Sequence, residues 1–278
     1  MKRHLFLLFL FCIIHTNKND SMSPLFSIIT VTYNARSTVG VTMRSVAEQT
    51  FCDYEHIIVD GNSKDGTVDT VKNNSTERTK LISESDKGLY DAMNKGIGLS
   101  HGKYLIFLNA GDSFHSSDTL DHIARKAKEN DFPGILYGQT QLVDINRKRL
   151  GDRHLTAPEN LTYGSFADGM VVCHQAFVVL SCIAPLYNLN YKFSADYDWC
   201  IQCLQHSRNN VYVPEITIDY LSEGLTTANH RSSLIERFRI MSLYYGTTRT
   251  LIRHLGFIPR FFTHKRKMKS VKSKIAEE

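Results

Sequence analysis

Residues 26–130 predict an α/β fold. It is a mostly parallel, Rossmann-like sheet flanked by helices, followed by a mixed region and a helical C-terminal tail. Three observations carry this. Strand-like and helix-like patterns alternate from Phe26 to Asn130. The strand-like stretches are apolar and rich in β-branched residues. Three of them break into polar clusters, "TYN", "VDGNSKDGT" and "NAGD". Ligands of parallel α/β sheets bind beyond the carboxyl ends of the strands, so these clusters belong along one edge.

The elements follow in order. "FSIITVTYN" (26–34) is a β-branched strand that turns polar. "TVGVTMRSVAEQT" (38–50) places Val39, Met43, Val46 and Ala47 at helical spacing. "YEHIIVDGNSKDGT" (54–67) is a short strand ending in a polar turn, "TVDTVKNN" a helical piece, and "TKLISESD" (79–86) a third strand. "GLYDAMNKGIGLS" (88–100) is a helix closed by Gly102, and "YLIFLNAGD" (104–112) the fourth strand. "SSDTLDHIARKAKEN" (116–130) has a Ser/Asp start, apolar residues at 120, 123, 124 and 127, and a basic end, as a helix requires. Beyond it, "GILYGQTQLVD" (134–144) reads as strand, and "DGMVVCHQAFVVL" (168–180) mixes strand and helix signals. "SADYDWCIQCLQHS" (194–207) is a helix opening on acids, and "VYVPEITIDYL" (211–221) is a strand. A basic helical stretch then runs from about Ser232.

Composition narrows the function classes. With 42% hydrophobic and 22% charged residues the 278-residue chain can bury a core. A net charge of +5 without a central basic stripe argues against a nucleic-acid partner. The six cysteines are scattered, and Cys200 and Cys203 lack a second pair at zinc spacing, so they are expected as core thiols in a reducing compartment. The start "MKRHLFLLFLFCIIHTNKND" has an apolar run from Leu5 to Ile14, too short to span a bilayer as a helix. No small-residue cleavage site follows. Residues 1–21 are read as an apolar leader outside the translated protein, which would begin at Met22, with a weak membrane anchor as the second reading.

No G-x-G-x-x-G follows the first strand, and neither G-x-x-x-x-G-K-[ST] nor G-x-S-x-G occurs. What remains is acids and amides at strand ends. Acids facing a polyanionic ligand need a cation between them, and Mg²⁺ or Mn²⁺ takes oxygen ligands and shares them with phosphates.

"SIITVTYNA", "VDGNSKDGT", "SDKGLYDAMNKGIGLSHGKYLIFLNAGD" and "SADYDW", in this order across roughly residues 24–220, resemble the family 2 inverting glycosyltransferases of the GT-A fold. The likeness is to the branch acting in bacterial capsule, exopolysaccharide and O-antigen assembly. It implies a GT-A domain over 22–230 and a basic tail over 231–278. It also implies transfer of one sugar from a nucleotide sugar to an acceptor hydroxyl, on a glycan or lipid-linked acceptor. By the same resemblance Thr32, Tyr33, Asn34, Asp60 and Asn62 hold the nucleoside. Asp86, Lys87 and Asn94 lie beside ribose and phosphate. The family's D-x-D appears as Asn109-Ala110-Gly111-Asp112, leaving Asn109 for the ribose and Asp112 for Mn²⁺ or Mg²⁺. Asp196 matches the general base, with Asp198 as its supporting acid and His174 and Gln175 on the acceptor side. First-turn acids favoured by the helix dipole are the plain alternative for Asp196 and Asp198.

The tail "RTLIRHLGFIPRFFTHKRKMKSVKSK" mixes Leu, Ile and Phe with Lys and Arg, as a segment resting on an anionic membrane does. A cytoplasmic enzyme, peripheral on the inner face of the plasma membrane, fits. The rival reading is a catalytically silent sugar-nucleotide binder, motivated by the acids missing at 109 and 111. A nucleotidyltransferase would want a Gly-rich loop where "TYNARST" has none. A glycosidase would need no nucleotide pocket.

Overall fold

The computed structural model describes residues 23–222 and 230–254. The leader, residues 223–229 with Gly224 and Thr226, and the basic run beyond 254 lie outside these residues.

Strands β1 (Phe26–Thr32) and β2 (Tyr54–Asp60) are buried along their whole length. This is why they read as continuous apolar runs: both faces of a central parallel strand are covered. β3 (Thr79–Ser83) and β4 (Tyr104–Phe107) complete the parallel half. The second half adds β5 (Ser113–Phe114), β6 (Ile135–Val143), β7 (Arg149–Asp152), β8 (Phe177–Leu180) and β9 (Asn210–Leu221). The sheet order is β3-β2-β1-β4-β8-β6-β9-β5, with β7 beside β6. β1, β2, β3 and β4 pair in parallel, β8 runs antiparallel to both neighbours, and β6 returns to parallel with β9.

Alternation along the strands sorts side chains into two layers. Ile29, Val31, Ile57, Val59 and Phe107 face helices α3 (Leu89–Leu99), α5 (Ala195–His206) and α6 (His230–Tyr245). Phe26, Ile28, Tyr54 and Ile106 face α1 (Val39–Ala47) and α4 (Thr119–Glu129), and a smaller cluster joins α1 to α2 (Thr67–Asn73). Cys200 and Cys203 are fully buried core thiols on α5.

Helix α6 is tied to the start of α5. The Glu236 carboxylate on α6 accepts the backbone amides of Lys192, Phe193 and Ser194 at 2.8–3.0 Å. A negative group thus meets the N-terminal end of α5, where free N–H groups and the helix dipole favour it. Among the described residues no helix is long and apolar enough to cross a membrane.

Candidate active site

The carboxyl ends of β1, β2 and β4 open into a cleft of about 920 Å³. Its lining includes Thr32, Tyr33 and Asn34 from the first strand end, Gly61, Asn62 and Lys64 from the second, and Asn109, Ala110 and Asp112 from the fourth. Ser85 and Asp86 lie along another side, and Gln175, Tyr220 and Leu221 close it from the mixed half.

Short polar bonds shape the first two loops. Asn34 and Asn62 adopt left-handed backbone (φ 49° and 63°), which Asn tolerates better than most residues. Asn34 Oδ1 accepts the Lys64 amide at 3.0 Å, and Asn62 Oδ1 accepts from Lys64 Nζ at 2.6 Å. Neighbouring side chains fill the space over the Gly61 Cα. A Cβ there would lie 2.5 Å from Asp86 Oδ2 and 3.2 Å from the Tyr33 ring. The carboxylate of Asp86 and the exposed ring of Tyr33 therefore converge on one bare patch of backbone.

Several residues expected around the nucleotide sit elsewhere. Asp60 is fully buried, and its carboxylate accepts from Thr32, Ser63 and Ser83 hydroxyls and from the Ser63 amide. These bonds outweigh burial and hold its pKa low. It builds the loop from behind and does not line the cleft. Asn94 clips the backbone of Tyr187, donating to its carbonyl at 3.0 Å and accepting its amide at 2.7 Å. Lys87 is exposed and outside the lining; its amide donates to Asp91. Lys64, which does line the cleft, was not singled out in the sequence. Its place in a polar turn after a strand end was the available signal.

At the fourth strand end the departure from D-x-D has a structural cause. Gly111 has φ 102°, a region that favours glycine, and a Cβ would meet Leu221 Cδ2 at 2.7 Å. An acid at 111 would not fit this turn. Thr42 pins the turn, accepting the Gly111 amide and donating to the Asp112 carbonyl. The Asp112 carboxylate is 4% exposed and accepts from Gln175 Nε2 and the Leu221 amide, both at 2.8 Å. Burial pushes its pKa up to about 7, against these hydrogen bonds and the charge of Arg147. Asn109 Oδ1 is buried without a hydrogen-bond partner.

These two groups bear on a divalent cation. No cluster of three or more acidic, His or Cys ligands exists among the described residues. Asn109 nevertheless offers an unpartnered amide oxygen, and Asp112 a desolvated carboxylate, at one cleft wall. Oxygen donors of this kind suit Mn²⁺ or Mg²⁺ that takes its remaining ligands from diphosphate and water.

On the acceptor side the structure separates two acids that sequence placed together. Positions two apart on a helix differ by about 200° in direction. Asp196 is half-buried; Tyr90 Oη donates to its Oδ1 at 3.2 Å. Asp198 is 2% exposed and faces α6, accepting from Tyr244 Oη at 2.8 Å and Gln202 at 2.7 Å. It clasps α5 to the tail rather than supporting Asp196. His174 also lies in the core, packed on Phe107 with Nε2 2.7 Å from Tyr187 Oη. Burial lowers its pKa to about 4, so it is neutral and shielded rather than presented to an acceptor. Its neighbour Gln175 does reach the cleft, through Asp112.

Comparison with known proteins agrees with this architecture. The profile described as Glycosyl transferase family 2 matches residues 27–182. A PGL/p-HBAD biosynthesis glycosyltransferase of Mycobacterium bovis is 34% identical over 191 residues, covering 66% of this chain and 71% of the relative. The Escherichia coli UDP-Glc:alpha-D-GlcNAc-diphosphoundecaprenol beta-1,3-glucosyltransferase WfgD is 30% identical over 140 residues, 50% of this chain and 53% of its own. Among solved structures, S. aureus TarS 1–349 in complex with UDP-GlcNAc superposes with a TM-score of 0.66 at 17% identity, covering 84% of this chain and 73% of that one. The mannosyltransferase PcManGT of Pyrobaculum calidifontis, in complex with GDP-Man and Mn²⁺, gives 0.60 at 13% identity, covering 99% and 83%. These two structures share the GT-A-like fold seen here, a mostly parallel sheet flanked by helices. With the family profile spanning more than half of its length, the chain belongs to glycosyl transferase family 2.

Proposed function

We propose that the protein moves one sugar from a nucleotide sugar to an acceptor hydroxyl with inversion at the anomeric carbon, on a lipid-linked glycan in bacterial surface-polysaccharide assembly. The observation that carries this reading is the wide cleft at the ends of β1, β2 and β4; Asp196 is outside its lining and hydrogen-bonded to Tyr90, a sequence neighbour of the lining residue Leu89. In this reading the base lies in the cleft beside Tyr33 and Asp86, whose carboxylate accepts a ring N–H. Thr32, Asn34 and Asn62 frame the nucleoside, Asn109 meets the ribose, and Lys64 supplies positive charge at the rim. Asp112 and Asn109 would hold Mn²⁺ or Mg²⁺, which when bound neutralises charge on the diphosphate. Asp196 takes the proton of the acceptor hydroxyl as its oxygen bonds to the anomeric carbon and the bond to the diphosphate breaks.

Lipid linkage of the acceptor is supported by the name of WfgD, whose acceptor is a diphosphoundecaprenol sugar. It is also supported by Leu243, Leu251 and Ile252, all more than half exposed on the last described helical residues. A peripheral site on the inner face of the plasma membrane follows from the basic sequence beyond them. The test is nucleotide release from a panel of UDP-, GDP- and dTDP-sugars, with Mn²⁺, Mg²⁺ or EDTA and with diphosphoundecaprenol-linked sugars as acceptors. Release from one donor that needs a lipid-linked acceptor supports the reading. Donor binding without turnover under every condition would identify a silent binder.

A further inference from the structure

Tyr90 connects the donor cleft to the proposed base. It lies on α3 between the lining residues Leu89 and Ala92, and only 6% of it is exposed. Its hydroxyl donates to Asp196 Oδ1 across 106 residues of sequence. The Tyr197 amide donates to the same Oδ1 at 2.9 Å. Asp196 Oδ2 accepts no hydrogen bond among the described residues and is not a buried unpartnered atom. The two carboxylate oxygens are therefore unlike: one is anchored and the other is left open.

The anchor is itself rigidly held. The Tyr90 ring stacks on Tyr187 (5.6 Å, 24°), and Tyr187 stacks on Trp199 of α5 (5.1 Å, 13°). His174 Nε2 is 2.7 Å from the Tyr187 hydroxyl, and Asn94, one turn along α3 from Tyr90, clips the Tyr187 backbone from both sides. This column of aromatic rings and paired polar groups fixes where the Tyr90 hydroxyl points. It also explains why Asn94 and His174 are where they are: they support the column.

We infer that Tyr90 is a positioning residue, which fixes Oδ1 of Asp196 so that Oδ2 receives the acceptor's proton. The inference rests on Asp196 acting as the base. The groups whose protonation feels Asp196 are Tyr90, His174, Tyr187, Cys200 and Tyr220, and Arg237 of α6 acts on Tyr90. Burial keeps His174, the three tyrosines and Cys200 neutral near pH 7.

The experiment is the pH profile of kcat for the full chain. Tyr90→Phe keeps the ring and its stack and removes the hydroxyl. Loss of this donor to Oδ1 should move the acid limb of the profile to higher pH by about one unit with donor KM unchanged. Exchanging Tyr90 for 3-fluorotyrosine makes a stronger donor and moves the limb to lower pH; it decides the matter if Tyr90→Phe does not fold. Profiles that superimpose on the parent's would overturn the inference. Asp196→Asn, run alongside, separates the two readings. Retained activity there overturns the base itself, whereas lost activity there with an unmoved limb in the Tyr90 variants overturns only the role of Tyr90.

Discussion

Asp112→Asn is expected to remove a pH-dependent loss of stability while abolishing sugar transfer. Asp112 is buried with only two hydrogen bonds to its carboxylate, and burial lifts its pKa from an ordinary 3.8 to about 7. The folded state therefore prefers the neutral acid. The parent has its full share of stability from this group below pH 3.8. That share falls as pH rises from 3.8 to about 7 and stays lost above it. Roughly three units at about 1.4 kcal/mol each make the loss about 4 kcal/mol. Asn has the same shape and no charge, so it escapes this cost. Urea unfolding of parent and variant, in EDTA at pH 4.5 and pH 8, measures it. Taking the difference cancels contributions from other titrating groups. The variant should gain several kcal/mol on the parent between the two pH values. A difference that does not change with pH would mean that ionising the buried Asp112 carries no penalty.

Three further outcomes are expected. Asp60→Ala leaves the hydroxyls of Thr32, Ser63 and Ser83 without their acceptor and should cost about 3 kcal/mol in urea unfolding, with weaker nucleotide binding by calorimetry. Gly61→Ala puts a methyl 2.5 Å from Asp86 Oδ2 and should weaken nucleotide affinity by about tenfold while thermal unfolding stays near the parent's. Glu236→Gln weakens the hold on the amides of residues 192–194. It should lower stability by about 1–2 kcal/mol and lower kcat more than it raises donor KM, as steady-state kinetics would show.

The parallel half of the fold was legible because its determinants are local. Apolar β-branched runs and helical spacing mark β1 to β4 and α1 to α4, and the polar break after each strand marks the cleft edge. The helix opening on "SADYDW" was equally plain. The partners of the polar residues were not legible, since they come from far along the chain. Asn94 meets Tyr187, Asp198 meets Tyr244, and Gln175 meets Asp112, each pairing set by packing rather than by spacing. Asp60 looked available because nothing in "VDGNSKDGT" reveals that Ser63 turns back onto it and that Ser83 reaches over from β3. Asp196 and Asp198 looked like a pair because sequence proximity hides the turn of the helix between them.

If Asp196 is the base of a sugar transfer whose donor fills the cleft at the strand ends, its loss separates donor binding from turnover. The most direct test measures donor binding and turnover in the same Asp196→Asn protein, with the donor found by the nucleotide-release panel. With Asp196 as the base, the donor Kd stays within about twofold of the parent's and turnover falls by roughly 10²–10⁴. Turnover near the parent's, with the donor still bound, would contradict it.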